Sequence, residues 1–119
     1  MRRLCILIAD ESVDAADALG TLCEGFGHEV DFAYEGAFAL EAARQLVPDV
    51  IFLEVALPRL NGLQVARELR SHAIFKRTLL VAVGPQDALR LAREAGFDAQ
   101  LCKPADAQAV EVLLGRVLY

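Results

Sequence analysis

Apolar and polar positions follow two rhythms along this chain. Leu4-Cys5-Ile6-Leu7-Ile8-Ala9 is a continuous apolar run stopped by Asp10 and Glu11, the pattern of a strand buried on both faces. Over 13–26 the apolar residues recur at spacings of three and four. Ala15, Leu19, Leu22 and Phe26 fall in line, and Gly25 and Gly27 mark the end, which predicts a helix. A short strand over 29–33 follows, then an alanine-rich helix over 36–46 with Leu40, Ala43 and Leu46 on one face, closed by Pro48. Val50-Ile51-Phe52-Leu53 is again apolar throughout and ends at Glu54. Pro58, Asn61 and Gly62 make 55–62 a loop. A helix is predicted over 63–72, with Ala66 and Leu69 inward, then a strand over 78–83 stopped by Gly84-Pro85. The segment 86–95 reads as a helix ended by Gly96, 99–102 as a fifth strand before Lys103-Pro104, and 106–118 as a last helix with Val110, Leu113, Leu114 and Val117 buried.

Strand followed by helix, five times over, implies right-handed crossovers and a parallel sheet with helices on both faces, an α/β domain. With no linker, repeat or low-complexity tract, residues 1–119 read as a single domain, long enough to hold its own core. The 55% hydrophobic content predicts a densely filled interior and leaves room for an apolar surface patch that would favour self-association. The net charge of −5 and scattered cations argue against binding to nucleic acid or anionic membranes. Cys5, Cys23 and Cys102 are odd in number and lack C-x-x-C spacing, so they read as buried free thiols in a reducing, cytoplasmic compartment. The first apolar run is too short for a signal-peptide core or a membrane span.

Open parallel sheets bind ligands beyond the carboxyl ends of their strands. Those ends deliver Asp10 and Glu11, Glu54, Gly84 and Lys103, so three carboxylates and one ammonium converge on one edge. Either Lys103 pairs with an acid and the rest stay solvated, or the acids hold a hard cation such as Mg2+. Dinucleotide, phosphate-loop and G-x-S-x-G motifs are absent, and no nucleophile–base pairing suggests an enzyme with its own turnover. His28 and His72 lie far apart and read as surface or helix-end residues.

The acidic pair Asp10-Glu11, the strand Asp49-Val50-Ile51-Phe52-Leu53-Glu54, Leu57-Pro58, Asn61-Gly62, Ala95-Gly96-Phe97-Asp98-Ala99 and Lys103-Pro104 come in an order and spacing that resemble the receiver domain of two-component response regulators. The resemblance covers essentially the whole chain. It implies a flavodoxin-like doubly wound sheet of five strands, order 2-1-3-4-5, with five helices. It also implies a phosphorelay role: an Asp at the end of the third strand takes a phosphoryl group from a histidine kinase, with Mg2+ and a Lys neutralising the charge. The Mg2+ ligands it implies here are Asp10 and Glu11 with the Ala56 backbone carbonyl. Lys103 matches the family's lysine, and Pro104 the proline after it.

Three positions depart from the family. Glu54 stands at the phosphoacceptor position, Gly84 where a Ser or Thr senses the phosphoryl group, and Gln100 at the aromatic switch position. The stretch between Gly84 and Lys103 also looks trimmed. Acceptor, sensor and switch are altered together, which suggests a pseudo-receiver fixed in one state and acting through protein–protein contacts. Its partners would be a histidine kinase, another signalling protein or other domains of a parent protein, with a homodimer the commonest oligomer to expect. The last helix with the fifth strand, carrying Ala105, Ala107 and Ala109, is the candidate contact surface, although alanines are also simply good helix formers. Alternatives are a live phosphoacceptor using an unusual acid, and a small-molecule (nucleotide) sensor using the sheet-edge pocket near Gly84.

Overall fold

The computed structural model describes residues 2–118. Five strands form one parallel sheet in the order β2-β1-β3-β4-β5: β1 (Cys5–Ala9), β2 (Glu29–Ala33), β3 (Val50–Glu54), β4 (Leu79–Gly84) and β5 (Ala99–Cys102). The helices are α1 (Val13–Gly25), α2 (Gly36–Leu46), α3 (Gly62–Arg70) and α4 (Ala107–Leu118). This is the flavodoxin-like topology expected. β3 and β4 are buried at every position, as their unbroken apolar runs require when helices cover both faces.

The two faces carry separate cores. On one, Leu7, Ile51, Leu53 and Leu80 pack against α2, α3 and the 86–97 segment. On the other, Ile6, Ile8, Phe52 and Val81 pack against α1 and α4. Local chemistry fixes the helix starts. Ser12 Oγ accepts the Ala15 N–H at 3.2 Å, and Asn61 and Gln64 form a reciprocal capping box. Gly36 opens α2 because a Cβ there would lie 2.0 Å from the Leu60 carbonyl oxygen.

Several expectations need correction. The segment 86–95 is not an α-helix. It makes two short 3-10 turns, Gln86–Ala88 and Arg93–Ala95, so the chain has four α-helices among its described residues rather than five. The N–H groups of Ala88, Leu89, Ala92, Ala95 and Gly96 all bond carbonyls three residues back. Leu89, Ala92 and Ala95, themselves three apart, are buried by this winding. The inward stripe of α1 is Ala16, Leu19, Gly20 and Cys23, with Ala15, Leu22 and Phe26 only half-buried.

His28 is not a surface residue: it is 5% exposed, and its Nδ1 accepts the Leu4 N–H at 3.0 Å. Of the three thiols only Cys23 is buried; Cys5 is half-buried and Cys102 exposed. Burial, with Glu24 adding, pushes the Cys23 thiol up to about 12, so it stays protonated and inert. Ala105 and Ala109 are half-buried against the α1–α4 core, and only Ala107 faces solvent. That placement reads the alanines mainly as packing residues.

Candidate functional site

Strand register builds the site. Ala9 pairs with Leu53, Glu54 with Val83, and Gly84 with Cys102, so β1, β3, β4 and β5 end level. The residues at those ends, Asp10, Glu54, Gly84 and Lys103, therefore share one edge. Asp10 and Glu54 are almost fully buried, at 4% and 8% exposed.

The Lys103 ammonium lies 2.7 Å from Asp10 Oδ2 and 2.6 Å from Glu54 Oε2 and bridges the two acids. The remaining oxygens are also engaged. Asp10 Oδ1 accepts the Ser12 N–H at 2.9 Å, and Glu54 Oε1 accepts the Glu11 N–H at 3.3 Å. Partial burial pulls the Lys103 pKa down, but its bonds to Asp10 and Glu54 and their charges outweigh it, and the net shift is upward. The Lys103–Pro104 peptide bond is cis. An apolar groove of about 350 Å³, walled by Leu19, Leu22, Val83 and Pro104, runs beside this cluster.

Of the residues picked out from the sequence, the structure brings together Asp10, Glu54 and Lys103. Glu11 is exposed, and only its backbone N–H reaches the cluster. Ala56 is exposed on the turn after β3. Mg2+ requires a near-octahedral shell of oxygens, of which the protein normally supplies one or two carboxylates. Here all four oxygens of the two buried carboxylates already accept hydrogen bonds, and Lys103 occupies the space between them. No group of three or more His, Cys, Asp or Glu among the described residues is placed to hold a metal ion. Each of the carboxylate oxygens keeps a second lone pair, so Asp10 could still contribute to such a shell, whereas the Glu11 side chain is exposed and is not drawn into the cluster.

The altered positions are occupied by other chemistry. A Cβ at Gly84 would lie 3.1 Å from Val55 Cγ2, with Ala88 and Leu89 next nearest, so apolar side chains fill the space facing that strand end. Gln100 Nε2 donates to the Leu89 carbonyl at 3.0 Å and ties β5 to the 86–95 segment. This tether was not visible in the sequence, because its partner is a backbone carbonyl eleven residues away.

A family model described as the response regulator receiver domain matches residues 6–114. The chain belongs to the response regulator receiver domain family. This receiver domain is 32% identical over 99 residues to the DNA-binding response regulator MtrA of Mycobacterium tuberculosis, covering 83% of this chain and 43% of that protein. It is 34% identical over 113 residues to the response regulator MprA of Mycobacterium ulcerans, covering 94% of this chain and 47% of that one. The chain thus spans less than half the length of these relatives. A putative response regulator from Chloroflexus aurantiacus J-10-fl superposes with a TM-score of 0.92 at 27% identity, covering 98% of both chains. The receiver domain of the sensor histidine kinase PA1611 from Pseudomonas aeruginosa PAO1 shares the fold, with a TM-score of 0.89 at 21% identity over 98% of both chains. That structure has a magnesium ion coordinated in its active site cleft. Among the described residues no helix is long and apolar enough to cross a membrane.

Proposed function

We propose that this receiver domain signals without phosphorylation, as a pseudo-receiver that works through protein contacts and has no catalytic turnover of its own. The observation that carries this reading is the bridge between Lys103 and Glu54 at the phosphoacceptor position. Lys103 holds one oxygen at 2.6 Å and the Glu11 N–H meets the other at 3.3 Å, so attack on a phosphoryl group would compete with both bonds. The extra methylene relative to Asp carries the carboxylate into the space an incoming phosphoryl group would need, and misplacement of about one ångström is already costly to reaction.

Two further observations support the reading. No hydroxyl stands at Gly84 to receive a phosphoryl oxygen, and Val55 closes on that position. Gln100 is bonded to the Leu89 carbonyl, which fixes the segment beyond β4. A Lys–Glu bridge in place of Lys, Mg2+ and phosphoaspartate leaves the domain in one conformation. Its partners would then be a histidine kinase, another signalling protein or further domains of a longer parent chain, which would read a constant surface.

The test is intact-mass spectrometry after incubation with Mg2+ and a small acyl-phosphate donor, with Glu54→Asp beside the wild type. Wild type is expected to stay unmodified, while the shorter carboxylate of the variant retreats from Lys103 and gains one phosphoryl group. A phosphorylated wild type would show a live receiver and overturn the proposal.

A further inference from the structure

The end of the sheet opposite Glu54 holds a groove of about 500 Å³ bordered by four cations, Arg2, Lys76, Arg77 and Arg116. These are a third of the chain's 12 Lys and Arg, in a protein whose net charge is −5. The two acids on the same rim are already engaged. Asp49 accepts Arg2 at 2.7 Å with one oxygen and the Cys5 N–H at 2.8 Å with the other. Asp98 Oδ2 accepts both Arg70 and the Leu80 N–H.

Lys76, Arg77 and Arg116 are exposed, and none pairs with a carboxylate among the described residues. Arg116 donates only to the Asp98 backbone carbonyl, at 3.4 Å. The groove is therefore a local excess of positive charge on an acidic molecule. Like charges gathered without partners repel one another, at a cost a bound anion would relieve. Leu79 and Val117 add apolar wall area.

We infer that this groove binds a small phosphate-bearing molecule with at least two anionic groups. Guanidinium forks match phosphate oxygens, and the volume suits a ligand of nucleotide size. A long polyanion such as nucleic acid is disfavoured, because the acidic remainder of the surface would repel whatever extended past the groove. The site lies at the far end of the sheet from Glu54, so its test is independent of whether the domain can be phosphorylated.

The experiment is an amide NMR titration of the domain at low salt with inorganic pyrophosphate and, separately, ADP. Saturable shifts are expected at residues 49, 76–79, 98 and 116–117, weakening as salt is raised. Tighter binding of ADP than pyrophosphate would assign the apolar wall to the nucleoside; equal binding would assign recognition to the phosphates alone. The double variant Lys76→Glu/Arg77→Glu changes only exposed side chains and is expected to lose at least about tenfold in affinity, equivalent to about 1.4 kcal/mol. Arg116→Gln should weaken binding less, with the fold of each variant checked by its unperturbed core amides. Non-saturating shifts, shifts centred on residues 10, 54 and 103, or an affinity untouched by both variants would overturn the inference. So would tighter binding of a tetraglutamate peptide, which would make the groove a dock for an acidic protein segment.

Discussion

The two ends of the sheet are wired differently. At the carboxyl end, charged side chains from different segments meet one another: Lys103 bridges Asp10 and Glu54, and Arg59 pairs with Glu35 at the rim. At the amino end, side chains are spent mainly on the backbone. Arg70 donates to the Gly96 and Phe75 carbonyls, both at 2.8 Å, as well as to Asp98. Thr78 Oγ1 donates to the Pro48 carbonyl at 2.8 Å, Asp49 accepts the Cys5 N–H, and His28 accepts the Leu4 N–H. Backbone groups need partners whatever the protein does, so the amino-end network is a device for stability. Two buried acids around one ammonium are a costly way to stabilise a fold. Stability alone therefore does not account for the cluster at the carboxyl end.

The sharpest way to break this comparison is to remove the cation that bridges the two buried acids. Lys103→Met leaves Asp10 and Glu54 buried without compensation, and is expected to destabilise the domain by about 2–4 kcal/mol, read from the urea midpoint. Glu54→Gln in the same chain should restore much of the loss, since one acid then becomes neutral. If Lys103→Met is as stable as wild type, the cluster is better hydrated than its burial implies.

At the amino end the cost should arise from an orphaned backbone group instead. Thr78 is 4% exposed, and Thr78→Val keeps its shape while leaving the Pro48 carbonyl without its donor. The expected loss is about 1–2 kcal/mol, with no dependence on salt. Lys103→Met and Thr78→Val share no partner, so the double variant should be additive to within about 0.5 kcal/mol. Marked non-additivity would mean that the two ends communicate through β3 and β4.

How legible the two ends were from sequence differs for the same reason. The carboxyl end was visible because strand ends are marked by abrupt polar residues: Asp10 and Glu54 each follow an apolar run, and Lys103-Pro104 closes the short last strand. Strand order came from resemblance, since periodicity alone cannot rank parallel neighbours. The amino end was nearly invisible: His28 beside Gly27 looks like a turn residue until Leu4, 24 residues away, supplies its bond. Arg70 on a helix end looks solvated until the segments around Phe75 and around 96–98 converge on it. The 86–95 segment was misread although its pattern held a clue. Leu89, Ala92 and Ala95 repeat strictly every third residue, the eclipsed spacing of a 3-10 turn, whereas α1 and α4 mix spacings of three and four.

The smallest effect, and the one that separates the ends in a single protein, is pH dependence. Burial holds the His28 pKa below its ordinary value, with the charge of Asp49 opposing. Between the folded value and about 6.5 the unfolded chain binds more protons at this residue than the folded one. Stability from His28 is thus complete above about 6.5 and is lost as pH falls toward the folded value, by no more than about 1.4 kcal/mol per pH unit. His28→Gln, which offers Leu4 an acceptor that does not titrate, should flatten this acid limb relative to wild type. Lys103 has the opposite sign. Its pKa is raised in the folded state, so its contribution is complete below its ordinary 10.5 and is lost as pH rises through the folded value. A urea-midpoint profile in which His28→Gln changes the acid limb and leaves the alkaline limb as in wild type would show that the His28 network acts independently of Lys103. If His28→Gln leaves the acid limb unchanged, the imidazole is charged without penalty in the folded state, and the amino end is more open to water than its burial implies.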